Sequence, residues 1–79
     1  MQKQIKHNVV GAPFRIGKLV RVVKATDETF EEEFMGKVGI VIYYDYKHCG
    51  QTYPNDPMIG VRFSERKSSV FWREELAAF

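Results

Sequence analysis

The sequence predicts an all-β fold, a small five-stranded barrel, and three observations support this class. A β-branched run with two glycines at its start, Gly36 to Tyr44, occupies the middle of the chain. Short Val-, Ile- or aromatic-rich segments alternate with segments rich in Gly, Pro or acidic residues, which is typical of antiparallel strands joined by turns. The 79 residues, 44% of them hydrophobic, suffice for one core and not for two.

Residues 1–15 are predicted to be a mobile N-terminal arm, and residues 16–79 to form the barrel. The arm is largely polar, and Gly11 to Pro13 interrupts the chain before the periodic part begins. It lacks the features of a signal peptide, and the chain contains no apolar run of membrane-spanning length. Because a single cysteine, Cys49, excludes an internal disulfide, we expect a cytoplasmic protein.

The first half of the barrel is predicted as two strands separated by an acidic loop. Alternating valines place the first strand at residues 18–24. We expect residues 25–35 to form an irregular loop rather than a short helix, with Phe30 and Phe34 closing the end of the barrel. The second strand spans residues 37–45.

Both faces of the second strand are apolar, which leaves its orientation open. In one arrangement Val38, Ile40 and Ile42 face the interior, while Val41 and Tyr43 face outward. The opposite arrangement places Tyr44 outside. Either way, one apolar face is left for another part of the chain or for a partner.

The second half begins with a long loop, residues 46–57, in which two prolines bracket Asn55 and Asp56. A connection of this length is more often functional than a plain hairpin turn. Strands follow at 58–63 and 69–72 with a polar turn between them. A single 3₁₀ turn then places Leu76 in the core before a last strand that runs to Phe79.

Charge is segregated along the chain, although the net charge is only +2. The first 24 residues carry basic side chains and no acid, and five acids follow within seven positions. We interpret the two groups as solvated faces that pair with each other across the first strand. The basic residues are Lys3, Lys6, Arg15, Lys18, Arg21 and Lys24, and the acids are Asp27, Glu28, Glu31, Glu32 and Glu33.

The order of strands, acidic loop and closing turn resembles the SH3-like barrels of the electron-transport accessory proteins. These include the variable chain of ferredoxin–thioredoxin reductase, the NdhS-type subunit and NifZ. The resemblance covers roughly residues 16 to 77 and rests on Gly17, Val20, Val22, Gly36, Gly39, Val41, Val61, Phe63 and the segment Arg73 to Leu76. It implies a non-catalytic accessory module without a cofactor that docks on a redox or metal-cluster enzyme.

Aromatic side chains exceed what a core of this size can cover, and Tyr and Trp are enriched at protein interfaces. We therefore expect the long loop and its flanks to contact a partner protein. The predicted protein-binding residues are Tyr44, Tyr46, His48, Tyr53, Asp56 and Trp72.

Enzymatic and metal-binding functions have little support in the sequence. His48 and Cys49, with His7 elsewhere, are too few for a typical zinc site, and neighbouring residues in an extended loop point apart. The adjacent Glu74 and Glu75 are interpreted as a solvated turn rather than an acid–base pair. We predict no catalytic residue and no metal site.

Two other binding functions are compatible with parts of the sequence. A KOW-like nucleic-acid-binding barrel is the main alternative, since the basic arm lies beside aromatic residues, but the acidic loop would repel a polyanion. The segment Tyr43 to Tyr46 is similar to the aromatic-acidic motif of polyproline-binding SH3 domains. It follows the acidic loop instead of preceding it, which argues against that function.

Overall fold

The computed structural model describes residues 4–26, 32–47 and 50–79. This part of the chain is all-β, as predicted, and within it no helix is long and apolar enough to cross a membrane. Two 3₁₀ turns interrupt the strands, at Glu32–Phe34 and Arg73–Glu75. The strands are β1 (Gln4–Ile5), β2 (Leu19–Val22), β3 (Val38–Asp45), β4 (Met58–Ser64), β5 (Lys67–Phe71) and β6 (Leu76–Ala78).

The strands form one antiparallel sheet in the order β5-β4-β3-β2-β6, and β1 pairs with the far end of β3. Strand β6 pairs with β2, so that Val22 lies opposite Leu76. The five strands of the main path are those that the sequence predicts, including the last strand after the 3₁₀ turn. The small SH3-like barrel is therefore confirmed.

The interior contains side chains from every strand of the main path together with Phe34 of the first 3₁₀ turn. The Phe34 ring stacks on Phe63 at 4.6 Å and meets the edge of Phe71 at 6.0 Å. Phe34 therefore closes one end of the barrel, as expected, whereas Phe30 lies outside the described residues. The buried apolar residues are Val20, Val22, Phe34, Val41, Tyr44, Ile59, Val61, Phe71 and Leu76.

A β-bulge in β3 decides which of its residues face the interior. Val41 pairs with Val61, but the next pair along the ladder is Tyr43 with Gly60, so Ile42 is an extra residue. An extra residue reverses the alternation beyond it. Val41 and Tyr44 are consequently both buried, and both predicted arrangements of this strand are wrong because each assumed unbroken alternation.

The described part of the predicted arm is in contact with the barrel. Ile5 pairs with Tyr44, and the Tyr44 hydroxyl donates a hydrogen bond to the carbonyl of Phe14. The Asn8 side chain accepts a hydrogen bond from the N–H of Ile16 at 2.7 Å. These contacts hold residues 4–16 along the end of β3, while the domain boundary after residue 15 and the mobility of the arm stay predictions.

The two glycines that precede the apolar part of β3 have different roles. Gly36 has a φ of +81°, which favours glycine, and it connects the 3₁₀ turn to the strand. Gly39 is buried, and a Cβ atom there would lie 2.5 Å from Val61 Cγ1 and 2.8 Å from the carbonyl oxygen of Arg62. The backbones of β3 and β4 therefore approach each other closely at Gly39.

The described charges pair differently from the expected pairing across the first strand. Glu33 forms an ion pair with Lys67 of β5, with 3.3 Å between Oε1 and Nζ. Arg21 of β2 instead lies over the Phe79 ring, 5.1 Å from its centroid. Of the acidic segment, residues 27–31 lie outside the described residues.

Candidate protein-interaction site

The long loop that follows β3 is folded back onto Tyr46, the first residue after the strand. The Tyr46 hydroxyl donates to the carbonyl of Pro54 at 2.7 Å. The Gln51 side-chain amide donates to the carbonyls of Asp45 at 2.7 Å and of Asp56 at 3.1 Å. The Tyr46 and Gln51 side chains therefore connect the two ends of the loop. This hydrogen-bond network is not visible in the sequence pattern.

Three tyrosines lie in a row from the core to the surface. The Tyr44 and Tyr46 ring centroids are 6.5 Å apart, and those of Tyr46 and Tyr53 are 4.8 Å apart. The exposed fraction of the side chain rises from 1% at Tyr44 to 64% at Tyr53. The exposed Tyr53 ring therefore packs against the Tyr46 ring. Tyr44 is buried, so it is not part of the predicted contact surface.

Burial also affects the acidity of these phenols. Desolvation, and then the neighbouring Tyr53 and Tyr44, raise the pKa of Tyr46 to about 12. Burial likewise raises the pKa of Tyr44. A protonated hydroxyl is what the hydrogen bonds to the Pro54 and Phe14 carbonyls require, so these two phenols act as donors at neutral pH.

The N-terminal segment contributes a turn to the same surface. The N–H of Ala12 donates to the carbonyl of Val9 at 3.1 Å. This turn leaves Val10 96% exposed. A Cβ atom on Gly11 would lie 2.8 Å from Pro54 Cγ, so the turn is packed directly against the long loop. The sequence does not reveal this contact, because Gly11 and Pro54 lie more than 40 residues apart in the chain.

The 3₁₀ turn that follows β5 borders the loop on another side. The Arg73 guanidinium donates to the carbonyl of Asn55 at 3.3 Å. Trp72, immediately before it, is partly buried, and Asp56 is partly buried within the loop. We define the turn–loop surface as Val10, Tyr53, Pro54, Asn55 and Arg73.

The predicted binding residues are thus distributed between this surface and the interior. Tyr46 supports the turn–loop surface and Tyr53 belongs to it. Asp56 and Trp72 flank it in the chain, and Tyr44 is in the core. His48, together with Cys49, lies outside the described residues, so the part predicted for His48 stays a prediction.

The two adjacent glutamates before β6 have opposite environments. Glu74 is exposed, whereas Glu75 is only 4% exposed. The Glu75 carboxylate accepts hydrogen bonds from the Trp72 N–H at 2.8 Å and from the Thr26 hydroxyl at 2.8 Å. The interpretation of this pair as a solvated turn is therefore wrong for Glu75, because its buried carboxylate accepts hydrogen bonds from the protein instead of from water.

Within residues 4–26, 32–47 and 50–79, no three His, Cys, Asp or Glu side chains lie close enough together to hold a metal ion. The chemistry available at the turn–loop surface is that of contact: an exposed tyrosine, an exposed valine, a partly buried proline and an arginine at the border. Exposed aromatic and apolar groups next to a cation are typical of the anchoring residues of protein interfaces.

The fold is that of a small SH3-like domain. The family profile described as the CarS bacterial SH3 domain matches residues 3–79, and the chain belongs to this family. The SH3-like part of the expected resemblance is thereby confirmed, whereas no comparison supports the electron-transport accessory group.

One curated relative is the antirepressor protein CarS of Myxococcus xanthus. It is 40% identical to this chain over 73 residues, which cover 91% of the chain and 66% of the relative. The chain therefore spans just under two thirds of the length of that relative. No solved structure matches the chain.

Proposed function

We propose that this protein is an antirepressor: a non-catalytic regulatory module that binds a transcriptional repressor and relieves repression. The observation that carries the proposal is the 40% identity to an antirepressor over almost the whole chain. The fold is consistent with it, because an SH3-like barrel acts through contacts made by its loops and strand edges. A partner that acts on DNA also fits the expected cytoplasmic location.

The turn–loop surface is the proposed contact region. Tyr53 has 64% of its side chain exposed and Val10 has 96%, so both can bury apolar area on a partner without first leaving the core. The contacts of Tyr46 and Gly11 with Pro54 hold the two segments together before binding. A preformed surface loses less conformational entropy on association. The predicted contributions of Asp56 and Trp72 remain part of this proposal.

The expected redox or metal-cluster partner is less well supported than a repressor. It rests on the resemblance to the electron-transport accessory proteins, whereas the matched family is that of the CarS SH3 domain and the relative is an antirepressor. The KOW-like nucleic-acid alternative predicts instead that the protein binds DNA or RNA by itself, with steep salt dependence.

A gel-shift titration separates these possibilities. The repressor antagonised by the Myxococcus xanthus relative is bound to its operator and titrated with this protein, and DNA-binding regulators encoded beside its gene are tested in parallel. We expect release of free operator at a ratio near one protein per repressor subunit, and direct binding to the repressor by calorimetry. Undisturbed repressor–operator complexes with no calorimetric signal would contradict the proposal.

The same titration without repressor is the control. The protein alone should leave operator DNA unshifted at moderate salt. A shift that disappears steeply with added salt would instead support the nucleic-acid alternative.

A further inference from the structure

The end of the barrel opposite the turn–loop surface holds a cavity of about 280 Å³. It opens where the first 3₁₀ turn meets the start of β3 and the β4–β5 hairpin. Its lining residues are Glu33, Phe34, Lys37, Val38, Phe63, Ser64 and Lys67. The loop after β3 leaves from the other end of that eight-residue strand, roughly 25 Å away at about 3.3 Å per residue. The cavity is therefore separate from the proposed contact region.

The floor of the cavity is aromatic. Phe34 and Phe63 stack with their centroids 4.6 Å apart, and Phe71 supports both rings edge-on from the interior. Val38 adds an aliphatic wall. Because these rings are fixed by the core, the floor does not need to rearrange to receive an apolar group.

The rim of the cavity is polar and carries excess positive charge among its lining residues. Glu33 and Lys67 pair with each other at 3.3 Å. Lys37 makes no ion pair or side-chain hydrogen bond with any residue of the described ranges. The Lys37 ammonium group is therefore available to pair with an anion.

The size of the cavity limits the ligand. The cavity volume is about 280 Å³. This is just below the range of about 300–1,000 Å³ that is usual for sites of drug-sized ligands. A small ring or branched chain with one charged group is the size that fits.

We propose that this cavity binds a small free monocarboxylic acid with an aromatic or branched apolar body. The apolar body lies against Phe34 and Phe63, and the carboxylate pairs with Lys37. This site does not depend on the proposed antirepressor function, since it lies at the other end of the barrel and needs no repressor.

The test is an NMR titration of the full chain with hydrocinnamate, with its neutral amide, hydrocinnamide, as the matched control. We expect the acid to shift the signals of Phe34, Val38 and Phe63 with a dissociation constant in the millimolar range. The amide should bind about two- to fivefold more weakly, the usual effect of one exposed charge pair. No shift, shifts confined to other regions, or equal binding of acid and amide would overturn the proposal.

Substitutions test separately the partner of the carboxylate and the space that holds the apolar body. Lys37→Gln should abolish the preference for acid over amide, whereas Lys6→Gln, an equal change of charge next to β1, should keep it. Ser64→Leu, which fills the cavity from an exposed position, should weaken both ligands. Retention of the preference in Lys37→Gln would overturn the assignment of the carboxylate partner.

A carboxylate next to an aromatic ring is also found in the side chains of protein partners. A blocked Asp-Phe dipeptide tests this second source. Weaker binding of the dipeptide than of hydrocinnamate supports a free acid. Tighter binding would assign the cavity to a side chain of a protein partner and overturn the proposal.

Discussion

The Glu75 carboxylate accepts two hydrogen bonds from Thr26, one from its N–H at 3.1 Å and one from its hydroxyl at 2.8 Å. The other oxygen of the same carboxylate takes the N–H of Trp72 at 2.8 Å. One buried side chain therefore joins the start of the acidic loop to the turn that closes the barrel. This carboxylate is a structural element that the sequence pattern does not distinguish from its exposed neighbour, Glu74.

Replacing Glu75 should destabilise the fold markedly. Glu75→Ala removes the acceptor for three donors, and donors left unsatisfied in partly buried positions are costly. We expect a loss of about 2–4 kcal/mol in the free energy of unfolding, measured by urea denaturation. The matched control, Glu74→Ala, should change it by less than about 0.5 kcal/mol. Equal effects of the two substitutions would contradict the structural role of Glu75.

Gly39→Ala should cost more than Gly60→Ala. At Gly39 the new methyl group meets Val61 and the backbone carbonyl of Arg62, neither of which can move without disturbing the sheet. At Gly60 the three nearest atoms all belong to the ring of Tyr43, a side chain that is only partly buried and is not part of the backbone. We expect about 1–3 kcal/mol for Gly39→Ala in chemical denaturation and a smaller loss for Gly60→Ala. The reverse order would show that β3 and β4 approach each other differently.

The raised pKa of Tyr46 predicts a loss of stability in alkali. The folded state holds this phenol neutral until about pH 12, whereas the unfolded chain ionises it near its ordinary pKa of 10.0. The unfolded state therefore loses the proton first as the pH rises. The contribution of Tyr46 to stability is complete below pH 10 and is lost between pH 10 and about 12.

Carbon NMR of the tyrosine rings together with denaturation at increasing pH measures this effect. Tyr46→Phe should remove the resonance that titrates near pH 12 and make the alkaline loss of stability less steep. A Tyr46 resonance that titrates with an ordinary pKa would mean that its hydroxyl is not held against the Pro54 carbonyl.

Binding of a repressor should depend on Tyr53. Tyr53→Ser removes an exposed ring at the centre of the turn–loop surface, and loss of a central aromatic contact commonly weakens an interface by about tenfold or more. Phe79→Ser is the matched control, because Phe79 is 62% exposed and Tyr53 64% exposed, but Phe79 lies against β2 instead. Calorimetry with the repressor should show weak binding for the first variant and wild-type binding for the second. Unchanged binding of Tyr53→Ser would place the interface elsewhere on the barrel.

Local signals in the sequence account for most of the barrel. Alternating valines are sufficient to predict the strand β2, and Pro, Gly and acidic clusters predict the connections. The turn that buries Leu76 was also predicted, because Arg73 to Glu75 are polar residues between two apolar segments. These features depend on residues close together in the chain, so the order of residues is sufficient to predict them.

The candidate site was predicted only in part. The long loop follows from the composition of residues 46–57. The packing of Gly11 on Pro54 does not, because it joins segments more than 40 residues apart. The ion pair between Glu33 and Lys67 at the rim of the cavity also joins distant segments, 34 residues apart, and does not follow from the composition either.

The sequence by itself determined the all-β class, the order of the five main strands and a single core, since periodicity and turn residues act locally. Only the tertiary structure decided which side of β3 faces inward, because the bulge at Ile42 depends on pairing with Val61 and Gly60. It also decided that Tyr44 and Glu75 are buried while Tyr53 is exposed. Burial depends on how segments that are distant in the chain pack against each other. A tyrosine or a glutamate is equally compatible with an exposed position and with a buried position in which it is hydrogen-bonded.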